Sequence, residues 1–132
     1  MKKKISSNLK IYTILMLFGG ALYCLAELMF RGRTHPSMWL CGGICISFVY
    51  LVSVKLNGAN IFKLAFISCI IITTTELVFG YIFNILLLQD VWDYTALKGN
   101  FLGQICIPFS IIWFIASIPS IYACRFIEKC FN

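Results

Sequence analysis

The stretch IFKLAFISCIIITTTELVFGYIFNILLL, from Ile61 to Leu88, decides the fold. It carries one base, Lys63, near its start and one acid, Glu76, in its interior. As an α-helix it would be ~42 Å long at ~1.5 Å per residue. That exceeds the ~30 Å hydrocarbon core of a bilayer, so the segment spans a membrane with tilt or with one end emerging.

Three further apolar runs flank it. One covers about residues 10–30, one about 37–55 and one about 101–126. Pro36 suits the first turn of the second helix. Pro108 and Pro119 fall inside the fourth run and predict a kink there. The chain has 132 residues, 61% hydrophobic and 12% charged. A soluble surface needs about a quarter of its residues charged, so lipid must solvate most of this one. The expectation is one all-α integral membrane domain over 1–132, a four-transmembrane-helix bundle.

Charge placement orients the bundle. Lys2, Lys3, Lys4, Lys10, Lys55, Lys63, Arg125 and Lys129 would share one side. Arg31, Arg33 and Lys98 lie on the other, partly offset by Asp90 and Asp93. The positive-inside rule then predicts both termini in the cytoplasm, N-in/C-in. The run Met1-Lys2-Lys3-Lys4 before an apolar segment imitates a signal peptide. The apolar part is too long for a usual signal core, and Leu22-Tyr23 is bulky where cleavage wants small residues, so a retained first helix is expected. The net charge of +6 is split into short segments between apolar runs. That pattern is topology signal and lipid-headgroup contact, not a nucleic-acid face.

The seven cysteines fall almost wholly within apolar runs. No CxxC or Cys/His spacing for zinc appears, and no metal or cofactor is expected. They read as small packing residues, as do Gly20 with Cys24 and Gly42 with Gly43, which would let helices approach closely.

The five acidic residues carry the functional information. Glu27 near the end of helix one lies four residues before Arg31, so an ion pair is available. Arg33 and His35 follow in the loop. Glu76 sits at hydrocarbon depth in helix three, with Asn84 further out on roughly the same face. Trp92, Asp93 and Tyr94 belong to the loop after helix three. Asn100 and Gln104 are expected to open helix four. Together they form a candidate substrate or ion site: a polar pocket opening outward and narrowing onto Glu76. An ionised carboxylate at that depth costs ~2.5 kcal/mol or more, so Glu76 must be protonated, paired or wetted. Each residue has a structural alternative. Glu76 could bond Thr73–Thr75, His35 could cap a helix, Trp92 and Tyr94 could form an interfacial belt, and Asp93 could pair with Arg31 or Arg33.

These residues carry a resemblance. Glu27, then Arg31-Gly32-Arg33-Thr34-His35, Ser37-Met38, Gly42-Gly43, Ile72-Thr73, Glu76-Leu77, Gly80, Asn84, Val91-Trp92-Asp93-Tyr94, Asn100 and Gly103-Gln104-Ile105-Cys106 follow one another along nearly the whole chain. In this the chain resembles small bacterial membrane proteins described as ABC transporter permeases, the CmpB-type or type IV group. Two departures are Pro36, where the group has Trp, and the lack of a proline near Lys98. The resemblance implies a multi-pass protein of the bacterial cytoplasmic membrane, a small permease or transporter subunit. Its partners would be membrane lipids, further copies in a homo-oligomer and a separate ATPase.

No GxSxG, Walker loop or HExxH is present, so an enzyme is not expected. A lipid-modifying activity using Glu27, His35 and Asp93 is the alternative on that side. The alternative to transport is an accessory or regulatory membrane protein whose polar cluster is structural.

Overall fold

The computed structural model describes residues 2–131. The first span is a continuous helix built of α1 (Lys2–Ile14), a π-helical stretch Leu15–Gly19, and α2 (Gly20–Arg31). The second is α3 (Pro36–Lys55). The third is α4 (Ile61–Gly80), continued by a π-helical stretch Tyr81–Leu86. The fourth is α5 (Ile107–Phe131). All four are long and apolar enough to cross a membrane. The chain is thus the all-helical four-span bundle its composition demands.

Local signals explain the boundaries. The first span ends at Gly32, whose left-handed φ of 71° costs no Cβ clash while its N–H caps Leu28 O. The His35 ring accepts from Ser37 N at 3.1 Å and Pro36 occupies the first turn, which starts α3. Asn60 Oδ1 accepts from Phe62 N at 2.8 Å and starts α4. The π-helical stretch Leu15–Gly19 coincides with a side-chain intrusion, since Trp39 Nε1 donates to Met16 O at 3.1 Å.

Helix four departs from expectation. It begins at Ile107, not near 101, and runs to Phe131. The chain cannot be helical earlier, because Gly99, Leu102 and Gly103 all hold φ between 55° and 70°. Asn100 and Gln104 therefore belong to a loop. Pro108 lies in the first turn of α5, where a missing N–H costs nothing, and only Pro119 is interior. Helix three ends at Leu86, shy of the expected 88, because Leu88 takes a φ of 51°.

The second span is the centre of the bundle, packed against the other three. Close approach to the first span uses glycine: a Cβ on Gly42 would lie 2.6 Å from Tyr23 Cβ, and one on Gly43 would lie 3.1 Å from Met16 Cα. The third and fourth spans pack as an antiparallel pair. At the end bearing the termini, Ile11, Leu15, Val49, Tyr50, Leu64 and Ile121 form a buried apolar layer. At the opposite, loop-bearing end the buried layer is Met38, Val91, Trp92, Tyr94 and Cys106. Four of those five come from the loop 87–106, so the loop is part of the interior.

Candidate functional site

Glu76 is the deepest polar group of the loop-bearing half, with 2% of its surface exposed. Its Oε1 accepts from the Tyr94 hydroxyl at 3.0 Å and its Oε2 from Trp113 Nε1 at 3.1 Å. Both donors are neutral. The threonines expected as alternatives do other work. Thr74 and Thr75 bond their own helix at Ile70 O and Ile71 O, and Thr73 meets Ser110 Oγ at 3.3 Å.

The reason Tyr94 can reach so deep is the late start of helix four. Trp113 lies opposite Glu76. From that pair the third span continues to Leu86 but the fourth reaches only back to Ile107, a step of ~6 Å at the helical rise. The loop folds into the step. Tyr94 stacks on Phe109 with ring centroids 4.7 Å apart, and Phe109 leans on Trp113 at 6.4 Å. Tyr23 from the first span also stacks on Trp113, at 5.5 Å. The carboxylate is thus walled by aromatic rings.

Asn84 organises the loop from the π-helical end of span three. Its Oδ1 accepts from Val91 N at 2.6 Å and Trp92 N at 3.3 Å, and its Nδ2 donates to Gln104 Oε1 at 2.7 Å. Gln104 Nε2 donates to Leu102 O at 2.9 Å, and Gln104 O accepts from Trp92 Nε1 at 3.0 Å. Gly80 makes room for this: a Cβ there would lie 2.9 Å from Gln104 Cβ and 3.0 Å from the Trp92 ring. The loop's second half is held by Asn100, whose Nδ2 donates to Thr95 O at 3.1 Å and Leu97 O at 3.0 Å while its Oδ1 accepts from Gly103 N at 3.3 Å. Tyr94 N donates to Gly103 O at 2.8 Å. The space expected to open outward above Glu76 is therefore filled by Trp92, Tyr94 and Gln104.

The basic residues tie the short loop to the long one. Arg31 pairs with Glu27 on its own helix and donates to Val91 O at 2.7 Å. Arg33 donates to Asp90 O at 3.3 Å. The expected Asp93 salt bridge with either arginine is not formed. Asp93 is exposed and its Oδ1 accepts from Thr95 N at 2.9 Å, a local turn bond that Asp makes readily. That bond holds the Asp93 carboxyl below the usual carboxylate range. Burial pushes the Tyr94 hydroxyl far up, with the Glu76 charge adding to it, so it donates and does not ionise. His35 is the cap of helix α3, and its ring meets Phe83 edge-on at 6.1 Å.

Glu27 and Arg31 lie within electrostatic reach of Glu76. The site thus brings Glu27, Arg31, Glu76 and Tyr94 together, with Asn84, Trp92 and Gln104 stacked outward of them. Arg33, Asp93 and Asn100 sit at the exposed rim. Two members escaped the sequence reading: Tyr23 and Trp113. Both lie within apolar runs. The spacing of Tyr23, Glu27 and Arg31 at successive turns was the available signal for the first.

A family model described as Putative ABC-transporter type IV matches residues 11–131. The chain belongs to this family. No match was found among curated proteins or among solved structures. Membership accords with the resemblance carried by Glu27, Arg31, Glu76 and the Val91–Tyr94 stretch. It makes the chain an ABC-transporter-related, multi-pass membrane protein, and it is compatible with a separate ATPase subunit.

Proposed function

We propose that the chain is a small permease or transporter subunit of the bacterial cytoplasmic membrane, and that it recognises a cationic group on its substrate at Glu76. The observation that carries this is a charge imbalance. Glu27 is already neutralised by Arg31, whereas Glu76 is buried among neutral donors and aromatic rings. An uncompensated carboxylate in hydrocarbon is costly, and a substrate cation recovers that cost. Aromatic rings add cation–π attraction of ~0.5–2 kcal/mol when water is absent. Charge asymmetry supports an N-in/C-in orientation, so the loop 87–106 covers the site from the extracytoplasmic side and must move for entry from that side.

The chain works as a transport component and not as an enzyme in this reading. A bundle of four helices has little interior for a pathway, which supports a homo-oligomer or a larger complex with an ATPase. The test uses benzylamine, a compact amine protonated at neutral pH. Wild-type protein in phosphatidylcholine nanodiscs binds it saturably and Glu76→Gln does not, with both melting at similar temperatures. Equal binding by the two proteins sinks the proposal.

One observation favours the second reading, an accessory or regulatory protein with a structural cluster. Asn84, Gln104 and Trp92 satisfy one another within the chain. In that case Glu76→Gln lowers the melting temperature and changes no binding.

A further inference from the structure

The first and fourth spans meet at two levels. Near the terminal end α1 touches α5 and the Ser7 hydroxyl donates to Phe131 O at 3.0 Å, and deeper in the bundle Tyr23 stacks on Trp113. Between them lies a crevice of about 340 Å³. Leu15, Phe18 and Leu22 form one wall, small residues Ala116 and Ala123 the other, and the second span the floor. Its length, from Ile14 to Ala26, is ~18 Å at the helical rise. That is close to the ~15 Å hydrocarbon depth of one leaflet.

The crevice leads to the buried carboxylate. Its residues Tyr23 and Trp113 are the stacked pair that walls Glu76. Ile72 lines it one helical turn before Glu76, and Ala26 lines it one residue before Glu27. The Tyr23 hydroxyl is buried without a hydrogen-bond partner among the described residues. It is an unused polar group in the wall between the apolar crevice and the acids.

We infer that the substrate is an amphiphile with one extended apolar chain and a protonated amine head, its chain lying in the crevice and its amine directed past Tyr23 and Trp113 to Glu76. This rests on Glu76 being the recognition site. Orientation supports it: the head lies toward the loop-bearing face and the chain points inward, as in a lipid of that leaflet. Charge supports it, since two carboxylates against the single Arg31 disfavour an anionic head. Section favours a single chain, since the volume spread over ~18 Å leaves ~20 Å² in cross-section, which suits one extended hydrocarbon chain better than a helix ~10 Å across.

Binding of radiolabelled dodecylamine to protein in phosphatidylcholine nanodiscs, corrected with empty discs, tests the inference. Dodecanol serves as the uncharged control and benzylamine as the tail-less one. Dodecylamine is expected to bind at least tenfold more tightly than either. Ala116→Leu with Ala123→Leu, which fill the crevice, should weaken dodecylamine about tenfold and leave benzylamine unchanged. Glu76→Gln should weaken both, and Trp113→Phe provides a second probe of the head site should Glu76→Gln fold poorly. If the crevice-filled variant binds dodecylamine as wild type does while Glu76→Gln abolishes benzylamine binding, the tail site is wrong and the Glu76 reading stands. Equal affinity for dodecanol and dodecylamine overturns the inference, because the crevice then holds ordinary acyl chains. Failure of both amines to bind removes the site reading and the inference together.

Discussion

The Tyr94 hydroxyl donates to Glu76 Oε1 at 3.0 Å, joining a loop residue to a carboxylate in the interior of the third span. The same tyrosine stacks on Phe109 and is itself buried. One side chain therefore couples three things: the seating of the loop 87–106, the start of helix four and the state of the acid. Anything that changes how Glu76 is occupied must be felt by the loop above it.

Tyr94→Phe keeps the ring on Phe109 and removes only the donor. Leaving the buried carboxylate one partner short is expected to cost ~1–3 kcal/mol of stability. Thermal melting of the variant in nanodiscs measures it. A double-mutant cycle with Glu76→Gln should return a coupling energy of ~0.5–3 kcal/mol, whereas strict additivity would show that the bond contributes nothing.

Asn84→Ala removes the acceptor for Val91 N and Trp92 N and the donor to Gln104. Faster amide hydrogen exchange is expected over residues 91–104, with the spans themselves unchanged. Exchange that rises equally in all four spans would mean that Asn84 supports the whole bundle instead of the loop.

Gly42→Leu drives a side chain into Tyr23, whose Cβ lies 2.6 Å from the position of the added Cβ. Overpacking of this kind costs ~1–3 kcal/mol or more. Since Tyr23 backs onto Trp113, the change should also weaken amine binding. Ser47→Leu, elsewhere on the same helix, is the comparison and should leave binding alone.

Acidification should loosen the turn at Asp93. Its carboxyl is held below the usual range by the Thr95 N–H, so the ionised form is the one the folded loop prefers. The contribution is present above the ordinary carboxylate value and is lost as pH falls through the lowered one. The Thr95 amide chemical shift, followed by NMR as pH is lowered, should titrate below the ordinary carboxylate range, and Asp93→Asn should abolish the transition. Titration at or above the ordinary value contradicts this.

Of the polar cluster, Glu27, Arg31, Glu76, Asn84 and Tyr94 stood out in the sequence, because acids, amides and bases are scarce in this chain and each needs a partner in lipid. Their pairing did not. Asp93 looked like the natural partner of an arginine, yet a turn amide two residues on satisfies it at less entropic cost. Asn100 and Gln104 looked like the opening of helix four, since they precede an apolar run. The left-handed φ values at Gly99, Leu102 and Gly103 put them in the loop instead. Glycine permits that conformation without announcing it, and Leu102 gives no local sign at all.

The sequence by itself determined the four spans, since so few charges leave water no surface to wet, and it determined that Glu76 needed an explanation. It determined the starts of helices two and three through His35, Pro36 and Asn60, because capping is local chemistry. Only the tertiary structure decided that the loop is interior, that Tyr94 and Trp113 hold Glu76, and that the first and fourth spans part to leave a crevice. The seating of the loop and of Tyr94 depends on where helix four begins relative to helix three. That offset is set by packing between residues far apart in the chain, and apolar length cannot encode it.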